Sequence, residues 1–413
     1  MKKLLLAAMT ALLLSVGAAR AGPYEDGIAY YQRGDYANAL QIFRSLAAQG
    51  NASAQFNLGA MYLKGQGVKQ DYAEAIKWFR LAVVQGDASA QFNLGVMYDL
   101  GQGVTQDYVE AVKWYRLAAA QGNAGAQGFL GSMYATGRGV PQDYAEAAKW
   151  FRLAAAQGVV FAQYFLGNEY ASGQGVAQDH AEAFKWYRLA AEQANAEAQL
   201  ALGVMYRDGS GVAQDYVEAV KWYRLAATQG DDRAQSTLGA MYFTARGVPQ
   251  DYTEAAKWFR LAAAQGGAFA QYCLGEMYRD GQGVPQDYAE AAKWFRLAAA
   301  QGDVSAQFNL GLAYHDGQGL TQDYAEAVKW FRLAAAEGDT SAQVNLSVIY
   351  FLAQGVVQDF VRAHMWVNLA GVSGDAKSVK LRDALAAIMT PQQIAEAQKL
   401  ARECQQRNFK GCD

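Results

Sequence analysis

The stretch GDASAQFNLGVMYDLGQGVTQDYVEAVKWYRLAAAQ, residues 86–121, decides the fold, because edited copies of it make up most of this 413-residue chain. Tryptophan marks the spacing of the copies. Each of the nine tryptophans stands 36 residues from the next, at Trp78, Trp114, Trp150, Trp186, Trp222, Trp258, Trp294, Trp330 and Trp366. Since a period kept this strictly is the signature of a repeat architecture, we expect a solenoid of small structural units.

Each unit has the pattern of two helices, called helix A and helix B. In helix A of the quoted unit, Leu94 and Met97 lie on one apolar stripe at helical spacing. Helix B begins at Asp107 with Glu110 three residues later, which is a capping-box pattern, and continues with an apolar face that includes Trp114. The sequence therefore predicts an all-α fold of helical hairpins, with the repeated tryptophans in the core.

Glycines mark two places in each hairpin. The loop between the helices has the form GxGV, as at Gly101 and Gly103; the second glycine occurs in every copy, whereas the first is Ala245 or Ala353 in two copies. Positive φ at these positions lets the chain reverse between antiparallel helices, and we expect the second position to be the stricter one. Gly95 lies in the middle of helix A, where we expect the two helices to cross too closely for a side chain.

The full pattern AxxxLGxxYxxGxGVxxDxxxAxxWxxxAAxxG resembles the Sel-one-like repeat (SLR), a relative of the tetratricopeptide repeat with a longer, glycine-bearing loop. The resemblance covers residues 51–374, which hold nine 36-residue units. It implies an α/α superhelical solenoid in which helix A lines the concave surface. It also implies a scaffold or partner-binding protein, usually without catalysis.

The N-terminus has the features of a secretory signal peptide over residues 1–21. Lys2 and Lys3 precede an apolar run, and Ala19-Arg20-Ala21 forms a cleavage motif. The apolar run is shorter than the roughly 20 residues that a membrane-spanning helix needs. We therefore expect cleavage after Ala21, no stable membrane anchor, and a bacterial protein that is periplasmic or secreted.

The two ends of the array are predicted to be caps. Residues 22–50 form a shortened hairpin without the GxGV loop, similar to an ordinary tetratricopeptide repeat. Residues 375–413 are predicted to form a C-terminal helical cap, in which a Thr390 to Gln393 capping box starts the last helix. Leu385 and Met389 are expected to close the core at this end, since a terminal repeat has no neighbour to cover it.

Cysteine usage suggests one covalent link. Cys404 and Cys412 lie close together in the tail, and an oxidising compartment would permit a disulfide between them; two free thiols are the alternative. Cys273 stands where other copies have asparagine, so we expect it to be an isolated thiol.

Composition and motifs exclude several classes of function. Without Lys2, Lys3 and Arg20 the chain has 33 basic and 39 acidic residues, which gives no basic footprint for nucleic acid or anionic membrane. His180, His315 and His364 lie in distant units, and metal-ligand spacings, GxSxG and Walker motifs are absent. We expect no enzyme activity, no cofactor and no metal. The repeated Asp and Glu pairs are explained by helix capping.

The resemblance also allows an alternative, a cell-wall-related or β-lactam-binding enzyme, because a cysteine-rich branch of the family is linked to penicillin binding. This chain lacks the cysteines of each repeat in that branch and any SxxK motif. The favoured interpretation is an adaptor for a protein or peptide. Relatives suggest envelope signalling or assembly, host-cell entry, or binding of a host protein such as secretory immunoglobulin A.

Recognition is expected where the copies differ. With Leu58 at the centre of the buried side of helix A, the positions of residues 53, 56, 60 and 63 lie on the opposite side. At the positions of residues 53 and 63 we favour recognition; at that of residue 56, recognition and packing against the neighbouring helix A fit equally well. The candidate partner-binding residues are Phe56, Phe92, Phe161, Tyr164, Arg207, Arg233, Phe243, Phe269, Tyr272, Phe308 and Phe351.

Overall fold

A computed structural model describes residues 22–372, 376–407, 409, 411 and 412, and in this part of the chain all regular structure is helical. The predicted signal peptide, residues 1–21, lies outside the described residues. The helices are α1 Pro23–Gln32, α2 Tyr36–Ala48, α3 Ala52–Lys64, α4 Tyr72–Val84, α5 Ala88–Leu100, α6 Tyr108–Ala120, α7 Ala124–Thr136, α8 Tyr144–Ala156, α9 Val160–Ser172, α10 His180–Glu192, α11 Ala196–Asp208, α12 Tyr216–Thr228, α13 Asp232–Thr244, α14 Tyr252–Ala264, α15 Ala268–Asp280, α16 Tyr288–Ala300, α17 Val304–Asp316, α18 Tyr324–Ala336, α19 Thr340–Leu352, α20 Phe360–Gly371, α21 Ala376–Ala386 and α22 Pro391–Gln406.

From α3 to α20 the odd-numbered helices are the A helices and the even-numbered ones the B helices, as the period predicts. The described residues divide into two compact units: unit 1 ends at Gln214 and unit 2 begins at Asp215. Within each unit, consecutive helices pack on one another as far as α21, whereas α22 packs on α20. The prediction of an all-α solenoid of helical hairpins is confirmed.

Aspartate starts each B helix, but the reciprocal half of the predicted capping box is absent in the quoted unit. The Asp107 side chain accepts a bond of 3.0 Å from the Glu110 backbone N–H, whereas the Glu110 carboxylate pairs with Lys113 at 2.6 Å. The reason is that the Asp107 backbone N–H already donates to the Tyr98 carbonyl, at 3.0 Å. That bond anchors the end of the loop to helix A, so the glutamate has no free donor to reach.

The mid-helix glycine lets helices A and B cross closely, as predicted. A Cβ built on Gly95 would lie 2.6 Å from the Tyr115 ring and 3.3 Å from the Ala111 carbonyl oxygen. Both distances are shorter than ordinary van der Waals contacts. The glycine therefore makes room for the aromatic ring of its own helix B.

The second loop glycine is the stricter one because the preceding hairpin touches it. Gly139 has a φ of +72°, and a Cβ there would lie 2.2 Å from the carbonyl oxygen of Tyr108, the first residue of α6. The first glycine of the same loop, Gly137, also has positive φ, but its Cβ would meet only Gln142, at 3.3 Å. Alanine is consequently found at the first position in two copies, with φ of +57° at Ala245 and +58° at Ala353.

These two alanines provide a stability test. We expect Ala245→Gly with Ala353→Gly to stabilise the chain by about 1 kcal/mol in total, because the gain from relieving left-handed strain exceeds the entropy that glycine adds to the unfolded chain. Urea unfolding followed by circular dichroism measures the change. Ala240→Gly, inside helix α13, is the control, and the same exchange should there destabilise by a similar amount. A loss in the double variant would contradict the strain argument.

In the hairpins from α3 to α18 the core ring is the aromatic residue that follows the tryptophan, which corrects the sequence expectation. Phe79, Tyr115 and Phe151 are almost completely buried, whereas most of the tryptophans are half-buried. Trp114 of α6 packs on the edge of a cluster formed by Leu63 and by residues of α4 and α5, so it spans successive hairpins. The exceptions are Trp258 and Trp366, which are buried.

A recurring hydrogen bond joins successive hairpins on their outer side. Arg116 Nη2 on a B helix donates to the Tyr134 hydroxyl of the next A helix, at 2.7 Å. The same pair, 18 residues apart, is present at Arg44–Tyr62, Arg80–Tyr98, Arg152–Tyr170, Arg224–Tyr242, Arg260–Tyr278, Arg296–Tyr314 and Arg332–Tyr350. Arginine and tyrosine thus fix the register between neighbours.

The terminal segments close the array as helices. At the N-terminus, α1 and α2 pack on each other and α2 packs on α3. At the other end, α20 contacts both α21 and α22, and Leu385 and Met389 are buried in the shared core, as predicted. The Thr390 hydroxyl and the Gln393 side chain form the predicted capping box. Cys404 and Cys412 are joined by a disulfide that ties the tail to α22.

Candidate functional site

The variable side chains lie on the side of helix A opposite the buried leucines. We call this surface the helix-A face and define it by the residues equivalent to 53, 56, 57, 60 and 63. Leu58 and all its equivalents are fully buried, whereas the helix-A face has side chains of every exposure class.

In unit 1 the rings equivalent to Phe56 lie on the core rings of their own hairpins. Centroid distances are 5.8 Å from Phe56 to Phe79, and 5.9 Å from Phe92 to Tyr115. Phe92 is only 5% exposed, so its side chain is part of the core and cannot reach a partner. For Phe92, packing is therefore the better of the two interpretations that the sequence left open.

Two further aromatic residues of unit 1 were not predicted to belong to the site. Phe129 and Phe165 replace Asn57 and Asn93 of the earlier copies, next to the buried leucine. The Phe129 ring lies 5.7 Å from that of Phe92. The change from asparagine to phenylalanine at this position of the repeat could have identified them. A helical wheel does not assign this position to the variable side.

Phe161 and Tyr164 join the same aromatic cluster on α9. The Phe161 ring is 5.2 Å from Phe129, and a Cβ on Gly128 would come within 2.5 Å of Phe161, so the ring occupies the space that this glycine leaves open. Tyr164 lies 5.4 Å from Phe165 and remains half-exposed. Phe161 is thus both a packing residue and a surface residue.

In unit 2 the rings equivalent to Phe56 again cover the core. Tyr272 lies 6.2 Å from Phe295, and Phe308 lies 5.8 Å from Phe331. The rings equivalent to Leu63 lie against the first residue of their own helix B, with 5.1 Å from Phe243 to Tyr252 and 5.7 Å from Phe351 to Phe360. All four predicted residues are half-exposed.

Phe269 and the two predicted arginines are among the more exposed of the predicted partner-binding residues. Phe269 is 51% exposed and touches the core ring of Phe259 by its edge, at 6.2 Å. The Arg233 side chain is 63% exposed and pairs with Asp231 at 3.2 Å. Arg207 of unit 1 is half-exposed and binds both oxygens of Asp208, at 2.7 and 2.8 Å.

A polar network on α15 and α17 lies beside the unit 2 aromatics. Arg279 binds Glu276 at 2.7 Å, Asp280 at 2.8 Å and the Asn309 side-chain oxygen at 2.8 Å. A cleft of about 70 Å³ opens beside it, lined in part by Tyr288, Asn309, Leu312 and Asp316. Arg279 occupies the position equivalent to residue 63, but a helical wheel of one helix does not predict this network.

Three polar groups of the A helices have raised pKa values. In unit 1, Glu169 stands where other copies have methionine, and burial raises the pKa of its carboxyl to about 8 although Arg152 opposes the change. Burial also raises the pKa of Asp99, whose carboxylate accepts from Tyr115 at 3.3 Å. In unit 2, burial raises the pKa of the free Cys273 thiol to about 12, so the thiol stays protonated at neutral pH.

Within the described ranges, histidine, cysteine, aspartate and glutamate do not gather in groups of three or more that could hold a metal ion. Among the helices described, none combines the length and the apolar character needed to cross a membrane.

Sequence comparison supports a repeat family. The Sel1 repeat family matches residues 15–51, 52–87, 88–123, 124–159, 160–195, 196–231, 232–267, 268–303, 304–339 and 340–372. The first match includes the N-terminal hairpin, so the family pattern extends beyond the nine full units. No curated protein matches the chain.

Two solved structures extend the comparison over most of the chain. One is a protective antigen, present in uropathogenic Escherichia coli strains, that displays an SLR fold; it is 34% identical over 94% of this chain and 92% of its own, with a TM-score of 0.66. The other is a Sel1 repeat protein from Oxalobacter formigenes, 33% identical over 84% of this chain and 99% of its own, with a TM-score of 0.56. Sel1 repeat solenoids are generally non-catalytic scaffolds, and such proteins commonly bind other proteins.

Proposed function

This chain belongs to the Sel1 repeat family, and from that premise we propose that it is an exported, non-enzymatic scaffold whose helix-A face binds a protein or peptide partner. Export is supported by the sequence of residues 1–21 and by the disulfide between Cys404 and Cys412, since disulfides persist in oxidising compartments. The partner would belong to envelope signalling or assembly, or to a host.

The proposal rests on a difference between the outward side chains of the A helices and those of the B helices. The outward side chains of the B helices are almost the same in every copy. Their polar groups are paired within the array, as in the Glu110–Lys113 ion pair and the Arg116–Tyr134 hydrogen bond. The outward side chains of the A helices differ from copy to copy and leave Phe269 half in solvent. An uneven surface with exposed aromatics can distinguish partners, whereas a uniform one cannot.

Phe269→Ser tests this function. We expect the variant to lose at least about tenfold in affinity for the partner, because a partly exposed aromatic ring is a typical anchor at a protein interface. The partner is first captured by the folded chain from Gly22 onwards, from envelope extract and from host secretions, and its affinity is then measured by biolayer interferometry.

Leu297→Ser is the matched control, because Leu297 is 50% exposed on helix B of the same hairpin and Phe269 is 51% exposed. Both variants should keep the melting temperature of the parent to within about 2 °C, since surface substitutions rarely change stability. If both variants bind equally well, or if Leu297→Ser alone weakens binding, the helix-A face is not the binding surface.

A further inference from the structure

We propose that the junction between α10 and α11 is a hinge, at which α11 moves against the preceding helices of unit 1. Three features that hold the equivalent junctions are altered at this one: a hydrogen bond between the helices, the last residue of helix B, and the residue at which the chain turns. The hinge is a property of the free chain, so it does not depend on the proposed function.

The hydrogen bond that links successive hairpins is missing at this junction. Arg188 on α10 and Tyr206 on α11 have the spacing of the other arginine–tyrosine pairs, but the described residues show no hydrogen bond between them. Arg188 Nε donates instead to the carboxylate of Glu192, at 2.8 Å and one turn later on the same helix. The other junctions from α2 to α19 keep the bond, so α11 lacks a link that its counterparts have.

Glu192 accounts for this change. In the other B helices from α2 to α18 the equivalent residue is valine once, threonine once and otherwise alanine, so it cannot offer a carboxylate to the arginine one turn before it. Glu192 is also the last residue of α10, and the carbonyl groups at the end of a helix disfavour a negative charge. The same side chain therefore removes Arg188 from the junction and weakens the end of its helix.

The turn between α10 and α11 is strained at Ala194. Its φ of +63° lies in the left-handed region, which disfavours a residue that has a Cβ. At the other turns from α2 to α19 the equivalent residue is a glycine with positive φ, namely Gly50, Gly86, Gly122, Gly158, Gly230, Gly266, Gly302 and Gly338. Opening of the junction lets Ala194 leave this conformation, so the strain favours the open form.

The contacts that remain keep α11 attached, which makes the junction a hinge and not a break. The Tyr206 ring lies edge-on to that of Phe184 on α10, with 5.4 Å between the centroids. Gln199 Nε2 donates to the Ala191 carbonyl at 3.1 Å, and the Asn195 side chain caps the first turn of α11. Helix α11 can therefore rotate about these contacts without separating from α10.

Movement at the hinge changes the helix-A face of unit 1. Tyr164 lies on α9, before the hinge, whereas Arg207 lies on α11, after it. A rotation of α11 changes the distance between these two predicted partner-binding residues. This consequence rests on the proposed function: if unit 1 binds a partner, the hinge lets its helix-A face fit partners of different shape.

Hydrogen exchange by mass spectrometry on the full chain from Gly22 onwards tests the hinge. The amides of residues 189–206 should be protected at least about tenfold less than those of residues 117–134, which span the equivalent α6–α7 junction. The expected difference is that of one lost hydrogen bond and one strained residue together. Equal protection at the two junctions, or a difference confined to the last turn of α10, overturns the proposal.

Two double variants identify the residues responsible, and in each of them the unaltered junction is the control. Glu192→Ala with Ala194→Gly gives the α10–α11 junction the residues of the α6–α7 junction and should raise its protection about tenfold. Ala120→Glu with Gly122→Ala makes the reverse exchange and should lower the protection of the α6–α7 junction by a similar factor. A Cβ on Gly122 would meet nothing beyond its chain neighbours within 4 Å, so this variant adds strain without overlap. Protection that stays unchanged at the altered junction in either variant contradicts the proposal.

Discussion

Gly139→Ala is expected to destabilise the chain by at least about 3 kcal/mol, because strain at positive φ adds to an overlap with main-chain atoms that cannot rotate away. The new Cβ would lie 2.2 Å from the Tyr108 carbonyl oxygen and 2.5 Å from its carbonyl carbon. Relief requires the α7–α8 loop to move away from α6. Because each hairpin of a solenoid is held by its neighbours, we expect the loss to appear as uncoupled unfolding on the two sides of this junction.

Chemical denaturation and hydrogen exchange by mass spectrometry measure these two consequences. Gly137→Ala is the matched control, since it changes the same loop at the position where Ala245 and Ala353 occur naturally, and it should cost about 1 kcal/mol. Exchange should rise in α6 and α7 for Gly139→Ala only. Similar losses for the two variants would show that backbone strain, and not contact with the preceding hairpin, makes the second glycine invariant among the copies.

Glu169→Met is expected to stabilise unit 1 at neutral pH by roughly 3 kcal/mol, the order of magnitude set by linkage for a carboxyl whose pKa is raised on folding. Glu169 is 5% exposed, and neither carboxylate oxygen has a hydrogen-bond partner among the described residues. Burial raises its pKa from 4.5 to about 8. Methionine occupies the equivalent position in six of the other copies, so the substitution restores a side chain that the surrounding packing accepts.

The raised pKa of Glu169 also determines how the stability difference changes with pH. In the folded chain the carboxyl keeps its proton up to about pH 8, whereas in the unfolded chain it loses the proton above about pH 4.5. The free energy of unfolding should therefore fall as pH rises between these values, because the folded state binds the additional proton. The advantage of Glu169→Met should grow over this window and stay constant above it.

Urea midpoints of wild type and variant at several pH values, together with hydrogen exchange of the α9 amides, provide the measurement. Glu197→Met, at an exposed site on α11, is the control and should show no such slope. A difference between wild type and Glu169→Met that does not depend on pH would indicate that the gain comes from packing alone.

Much of the fold could be predicted because each sequence feature that determines it occurs once in every repeat. The second glycine of every loop, the aspartate before every helix B and the glycine inside helix A all had clear local reasons, and the structure supplies the neighbour that each one meets. The prediction of a capping box was wrong because the Asp107 backbone N–H donates to the Tyr98 carbonyl. This contact between the loop and helix A is not encoded by a local motif.

The tryptophans were misplaced for a geometric reason. Trp114 and Tyr115 are adjacent, so they point about 100° apart on helix B, and both lie near the apolar stripe. Periodicity alone does not tell which of them is central. The structure places Tyr115 under Gly95, where the helices cross, and leaves Trp114 at the junction with the preceding hairpin.

The candidate site was predicted as a surface but not in detail. A helical wheel ranks Phe161 and Phe269 as equivalent, since they occupy the same position in two copies. Their environments differ because Gly128, in the preceding helix A, leaves space that Phe161 fills. Phe129 was not predicted as a site residue because its position in the repeat is next to that of the buried leucine. Such differences depend on side chains a whole repeat away, which one helix considered alone does not include.

The arginine–tyrosine bond between successive hairpins has an evolutionary consequence. Arg116 and Tyr134 stand 18 residues apart in a period of 36, so deleting or duplicating one complete period within a unit brings an arginine beside an equivalent tyrosine again. Helices α16 and α18 of unit 2 differ at only one position, Ala292 against Val328. Recombination between such copies changes the number of hairpins and again places an arginine next to a tyrosine at the new junction. The surface offered to a partner can thereby lengthen or shorten without a new interface between hairpins.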